Sequence, residues 1–398
     1  MTGPLSGVLI LDAATFLAAP FCATILAEFG AEVIKIEQPH VGDSLRRLGT
    51  PSAAGDTFMW LSDARNKKSV TLDLRRPEGG DLFRKLAARA DVVVENFRPG
   101  TMEGWGLGYD ALAKINPKLV MLSVSAYGQT GPYREMPGFA RIAHAFSGLA
   151  YLAGEPGRQP VVPGSTSLAD YMSGLFGAIG VLMALRHAEK TGEGQLVDIG
   201  LYESVFRVLD ELAPVYAATG IQRERLGADT GYVVPHSNYQ TADGAWVAIA
   251  CSNDRMWDRL ARAMGNADLS KNPSYATMSA RVARREAVNA LVGGWVKSLT
   301  LEAVLERCGR EEVPCAKLLS IADIFADPQY RARENLRQLD DPRAGSLTIP
   351  APMPRLSKTP GQVTNAGPAL GSANAEVFGG LLGLSTDTLA ELKARGVI

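Results

Sequence analysis

From Val8 to Ser125 the chain alternates short apolar runs with longer stretches of helical period. Val8–Asp12 (VLILD) predicts a buried strand. A loop, Ala13–Ala19, follows it, and Pro20 opens a helical pattern through Phe21, Ile25, Leu26 and Phe29, with Gly30 just past its end. Ala31–Glu37 (AEVIKIE) reads as a second strand. Strand, helix and strand at this spacing form a βαβ unit, which requires a parallel sheet. The alternation continues with strands at Ser69–Leu74, Asp91–Val94 and Leu119–Ser125 and helices at Pro77–Arg89 and Tyr109–Ile115.

Tyr171–Lys190 predicts a long helix ended by Thr191-Gly192-Glu193-Gly194, then a strand at Gln195–Gly200 and a helix from about Tyr202. Glycine and proline interrupt any period between Gly220 and His236. Trp246–Ala250 starts a smaller α+β region with helices at Asp254–Met264, Ser279–Val296 and Leu301–Cys308. Pro- and Gly-rich sequence returns from Asp341 to Gly371, and Thr386–Arg395 predicts a last helix. The expected fold is α/β, with a Rossmann-like large domain over residues 1–220 and a smaller α+β domain over 221–330. Residues 331–398 form a C-terminal segment.

The 398 residues carry a formal net charge of −1, so no bulk field recruits nucleic acid or an anionic membrane. Met1–Gly7 has no leader pattern and no uninterrupted apolar run of spanning length occurs, which predicts a cytoplasmic location with no membrane partner. The four cysteines form no CxxC pair and the four histidines are scattered, so a bound metal is not expected. Cys22, on an apolar helix face, reads as a buried small hydrophobe. The first strand lacks a following GxGxxG, which counts against a dehydrogenase.

No GxSxG occurs, and neither His40 nor His187 has a plausible nucleophile beside it. A carboxylate needs neither base nor metal to attack an activated acyl group. Asp170 follows the small-residue loop Pro163–Ala169 and precedes the predicted helix, where backbone amides can stabilise developing negative charge. A plain N-cap aspartate fits the same pattern.

Seven segments carry a resemblance. They are LSGVLILD…AAPFCATILAEFGAEVIKIEQP (5–39), NKKSVTLDL (66–74), DVVVENFRPG (91–100), YGQTGPY (127–133), LADYMSG (168–174), KTGEGQLVDIGLYES (190–204) and VPCAKLLSIADIFADPQ (313–329). In order and spacing the chain resembles the class III CoA-transferases, the family of formyl-CoA transferase and the carnitine and bile-acid CoA-transferases. The resemblance implies that Asp170 is a nucleophile, forming an acyl anhydride and then an aspartyl-CoA thioester. It implies CoA thioesters as substrates with no permanently bound cofactor, a C-terminal segment returning to the large domain, and an interlocked homodimer.

CoA carries phosphates that call for cationic side chains and amide donors. Lys67-Lys68, Arg75-Arg76 and Asn96-Phe97-Arg98 sit near the carboxyl ends of predicted strands, where open parallel sheets bind ligands. Solvated basic loops are the bland reading of the same residues. The resemblance places Gln38, Leu72, Arg75, Asn96, Phe97 and Arg98 at CoA-contact positions, although many members have Arg where Gln38 stands.

The chain departs from the family at the acyl site. Leu17 stands where formyl-CoA transferase has Gln, and Gly138-Phe139-Ala140 stands where many relatives have Gly-Tyr-Asp. Leu17, Phe139 and Arg141 become the candidate substrate contacts, with Arg141, or Arg46-Arg47, available to a distal carboxylate. A surface ion pair is the competing reading of Arg141. These departures favour succinyl-CoA with a dicarboxylate over formyl exchange. The alternative of the same fold is α-methylacyl-CoA racemase, which needs a His where Phe139 stands. His144, one turn beyond Arg141, reads as structural, and a non-catalytic scaffold would tolerate loss of Asp170.

Overall fold

Six strands hydrogen-bond into one parallel sheet: β1 (Leu9–Asp12), β2 (Glu32–Glu37), β3 (Lys67–Thr71), β4 (Val92–Glu95), β5 (Val120–Ser125) and β6 (Leu196–Gly200). The computed structural model describes residues 3–398. Met1 and Thr2, at the start of the stretch read for a leader, lie outside them. The strand order is β3-β2-β1-β4-β5-β6. Leu11 of β1 pairs with both Ile34 and Val93, and cores on both faces of the sheet bury the central strands, which therefore need apolar residues at nearly every position. The direction of winding reverses between β1 and β4, which opens a crevice at the strands' carboxyl ends.

Each face of the sheet has its own core. On one face, α1 (Ala18–Glu28) and α4 (Leu168–Thr191), with α3 (Ala140–Phe146) and α5 (Leu201–Phe206), pack on Ile10, Val94 and Leu122. On the other, Phe83 and Leu86 of α2 (Pro77–Ala87) meet Leu11, Val93 and the C-terminal residues Phe378 and Val397. The Asp73 N–H donates to the Val397 carbonyl (2.9 Å), tying the chain's end to β3's exit.

Glycine sets how closely α1 and α4 approach. A Cβ at Gly174 would stand 2.7 Å from the Ala18 carbonyl oxygen, and one at Gly177 would stand 3.4 Å from Cys22 Cβ. Residue numbers rise together along this contact, so the two helices run parallel with their N-terminal ends side by side. Cys22 is fully buried there, and burial pushes its thiol pKa far up.

The chain divides into two compact units. The first comprises residues 3–149, 164–210 and 331–398; the second comprises Ala150–Pro163 and Glu211–Tyr330. In the second, β7 (His236–Gln240), β8 (Trp246–Ala250) and β9 (Cys315–Lys317) form an antiparallel sheet. It packs through Val247 and Ile249 on Trp257, Leu260, Val288 and Val304.

Several elements differ from the sequence reading. The unit boundary falls at Asp210 rather than at residue 220, and residues 150–163 leave the large unit for the small one. Ser279–Val296 is two helices, Met278–Val282 and Arg285–Lys297, parted where the Arg284 backbone (φ −125°, ψ 32°) leaves the helical region; the buried Arg281 anchors the first of them to the carbonyls of Val234 and Tyr275. The hairpin β10 (Leu336–Asp341) and β11 (Gly345–Pro350) carries too many polar residues to read as strands. Leu347 and Ile349 are buried in a core with Trp60 and Leu61, and Leu339 packs against it. α4 begins at Leu168, three residues ahead of Tyr171, so Asp170 lies within its first turn rather than before it.

Candidate active site

Buried charge ties β1, β2 and β3 together where they end. Asp12 accepts from Lys67 Nζ (2.8 Å) and lies 3.5 Å from Lys35 Nζ, which also pairs with Asp43 (2.9 Å). Lys67 donates in addition to the Pro20 carbonyl at the head of α1 (2.8 Å). Lys67 is therefore an internal tie and not the phosphate contact expected of it, while Lys68 pairs with Glu32 and Glu376 at the surface. Burial disfavours the Lys35 ammonium, but the opposing charges of Asp12, Asp43 and Glu37 outweigh it and hold its pKa above the usual range.

The same acids shape the loop between β1 and α1. Asp43 accepts from the Phe16 N–H (3.0 Å), and Asn96 both accepts from the Thr15 N–H (2.8 Å) and donates to the Thr15 carbonyl (2.7 Å). Those bonds hold Phe16 at φ +62°, a conformation a bulky side chain rarely adopts. Beside this loop opens a cavity of about 190 Å³ at the carboxyl ends of β1 to β4. Four of the six residues expected at CoA line it: Gln38, Leu72, Arg75 and Phe97. Asn96 is engaged with Thr15 and builds the adjacent wall. Arg98 is exposed and does not line the cavity.

The cavity mixes the features a nucleotide requires. Phe97 packs edge-to-face on Trp105, their centroids 5.1 Å apart, giving an aromatic wall. Arg75 is held by Asp73 through two bonds of 2.8 and 2.9 Å and keeps more than half its side chain in solvent. Sequence reasoning missed Trp105, whose only signal was an aromatic residue following the Asn96–Gly100 loop.

Asp170 stands at the N-terminal end of α4. Gly174, one turn along the same face, abuts Ala18 at the start of the parallel α1, so the Asp170 carboxylate sits where the positive ends of two helices converge. Its backbone N–H closes a turn onto Ser167 (3.0 Å). Among the described residues nothing hydrogen-bonds or ion-pairs with its carboxylate, and burial alone raises the pKa to about 6. The next residue, Tyr171, is anchored by its hydroxyl donating to Asp63 (2.9 Å) and by its ring against Phe21.

Comparison with known proteins settles the family. A family model described as CoA-transferase family III matches residues 5–374. The chain belongs to CoA-transferase family III. It is 53% identical to the succinyl-CoA–L-malate CoA-transferase beta subunit of Chloroflexus aurantiacus, over 100% of this chain and 98% of the relative. It is 35% identical to the succinate–glutarate CoA-transferase of Agrobacterium fabrum, over 94% of this chain and 95% of that one. A solved CAIB/BAIF family protein from Brucella suis superposes with a TM-score of 0.83 at 34% identity, covering 96% of this chain and 100% of that one.

This family III chain is thus a CoA-transferase, exchanging CoA between acyl groups and carboxylates. The named relatives do not favour the racemase.

Leu17, Phe139 and Arg141, the candidate substrate contacts, lie in different surroundings. Leu17 is buried, packed with Leu45, Trp60 and Tyr171, so its side chain faces the core. Its neighbour Phe16 meets Phe139 instead. Arg46 is also internal, bonded to Glu37 (2.8 Å) and Asp56 (2.9 Å) and lying over Trp60, while Arg47 donates to the Val41 carbonyl. The Arg46 guanidinium is therefore engaged by internal acids, whereas Arg47 remains exposed. Arg141 is exposed on α3 and has no ion-pair partner among the described residues, so the surface salt bridge weighed for it does not form.

Proposed function

We propose that this transferase moves CoA from succinyl-CoA to a short dicarboxylate such as L-malate, through covalent intermediates on Asp170. The observation that carries the mechanism is the unpaired, partly desolvated Asp170 carboxylate at the convergence of two helix N-termini. A carboxylate with its pKa near 6 is a stronger nucleophile than an ordinary aspartate and is still mostly ionised at neutral pH.

In the proposed cycle, an Asp170 oxygen attacks the succinyl thioester carbonyl. The C–S bond breaks, leaving a succinyl-aspartyl anhydride and CoA thiolate. The thiolate attacks the aspartyl carbonyl and expels succinate, giving an aspartyl-CoA thioester. The acceptor carboxylate attacks that carbonyl and releases thiolate again. Thiolate attack on the acceptor's acyl carbon then forms the new thioester and restores Asp170. Each step exchanges one activated acyl bond for another, so the cycle calls for neither ATP nor metal. The amides at the head of α1 would stabilise the oxyanions, since those of Ala169 and Asp170 on α4 already have acceptors.

The CoA nucleotide is assigned to the cavity walled by Phe97, Trp105 and Arg75, at the switch point of a Rossmann-like sheet. The dicarboxylate class rests on the malate and glutarate transferases among the relatives and on the unpaired Arg141. Leu175, Ile179, Leu182 and Met183 form an exposed apolar stripe along α4, which supports burial of this face in a homodimer.

The test is turnover of succinyl-CoA against a panel of mono- and dicarboxylates, with hydroxylamine trapping and peptide mass spectrometry. Transfer to malate, with a hydroxamate on the Asp170 peptide, is expected. An unmodified Asp170 peptide during full turnover sinks the covalent reading.

A further inference from the structure

α4 lacks the cap that its own sequence would supply. Its N-cap residue, Ser167, makes no side-chain bond to the first turn, although serine is among the best residues for that task. The amide of Ala169, in that first turn and directly before Asp170, donates instead to Nε2 of His144 (3.0 Å), on α3. A local cap has been replaced by one reaching across 25 residues of chain.

The acceptor has a defined chemical form. An imidazole nitrogen that accepts from an amide carries no proton, so the neutral ring holds its hydrogen on Nδ1. Nδ1 is buried and has no partner among the described residues, so Nε2–Ala169 is the ring's one anchoring bond. Burial, and the charge of Arg141 one turn earlier on α3, hold the His144 pKa below its ordinary value and favour this neutral form. Because Nε2 is committed to Ala169, it is not available to take a proton from a substrate carbon.

We infer that His144 is a positioning residue for the transfer reaction: its Nε2 fixes the first turn of α4 and thereby the direction in which the Asp170 carboxylate points. The inference rests on the covalent role proposed for Asp170. Helix ends fray when their first amides are unsatisfied, and a nucleophile displaced by about 1 Å can lose about 100-fold in rate. The helix beyond Gly174 is held by its packing on α1, so the loss should be confined to the turn that bears Asp170.

H144L keeps the ring's approximate bulk without an acceptor, whereas H144Q offers a side-chain oxygen near the Nε2 position. The expected result is a fall in kcat of about 10- to 100-fold in H144L, with the KM for succinyl-CoA within about twofold of wild type. H144Q should recover most of the kcat. Hydroxylamine trapping separates the two ideas: absence of the Asp170 adduct in wild type would defeat the covalent reading itself. A normal adduct yield and kcat in H144L, or equal losses in H144L and H144Q, would overturn only the positioning role. Should H144L fail to fold, the wild-type imidazole ¹⁵N spectrum decides, since an Nε2-protonated ring contradicts the inference.

Discussion

The ring of Phe16 meets that of Phe139 edge-on, with centroids 5.8 Å apart and planes at 74°. The pair joins the strained loop after β1 to the residue that precedes α3. Phe139 is 67% exposed, so the contact contributes little to the core and much to the shape of the adjoining surface. Phe139→Ala should therefore shift the melting temperature by no more than about 2 °C. It should lower kcat/KM for the acceptor by up to about tenfold, the worth of one aromatic pair. Equal losses for donor and acceptor would remove the acceptor assignment.

Asp170 should set the acid limb of the pH profile. With its carboxyl pKa raised to about 6 in the free enzyme, kcat/KM should fall as pH drops through 6, because the protonated acid is no nucleophile. Stability runs the other way. The folded state keeps its proton over a pH range in which the unfolded chain has lost it, so this group's contribution declines as pH rises from about 4 to about 6. Asp170→Asn should therefore be inactive yet more stable at pH 7.5, by about 1–2 kcal/mol after discounting for partial exposure. Denaturant midpoints at pH 7.5 and pH 4 check this, and the difference should close at the lower pH.

Lys67 distinguishes a structural tie from a ligand contact. Lys67→Met leaves Asp12 buried with only the more distant Lys35, at 3.5 Å, to balance it. Removing one partner of such a pair should cost about 3 kcal/mol or more. Urea unfolding should register that loss, and any fully folded fraction should keep its KM for CoA thioesters.

Arg141 offers the opposite expectation. Lacking any ion pair among the described residues, it can be neutralised without structural loss, so Arg141→Gln should melt like wild type. KM for a dicarboxylate acceptor should rise about tenfold or more, the value of a charge-assisted hydrogen bond, while a monocarboxylate is unaffected. Initial rates over an acceptor series measure this directly.

Gly174→Ala tests the helix contact beneath the nucleophile. The added methyl would stand 2.7 Å from the Ala18 carbonyl oxygen and 3.0 Å from Phe21, so the two helices must part. A loss of about 1–3 kcal/mol is expected, together with a reduced kcat, because the displaced turns carry Asp170. Retention of full activity would show that the carboxylate's position is independent of this packing.

Periodicity and turn residues were enough to read the parallel α/β half of the chain, because a buried strand and a crossover helix each write their repeat into a few consecutive residues. Trp246–Ala250 was legible for the same reason. The hairpin Leu336–Pro350 was not, since only alternate residues on one face are buried and the rest are polar. Asp170 stood out through its resemblance to a known motif and its small-residue loop, but its place inside α4 and its freedom from partners were invisible.

Tertiary structure alone decided which charged and polar groups are free. Lys67 and Arg141 look alike as residues, yet one is bound to Asp12, 55 positions away, and the other has no partner among the described residues. Leu17 turns into the core while Phe16 meets Phe139, because Asn96 and Asp43 fix the loop backbone at Thr15 and Phe16. His144 caps a helix to which nothing in its own neighbourhood points. Local sequence encodes period and turn; a side chain's partner depends on where distant segments meet, and that is a property of the packed chain.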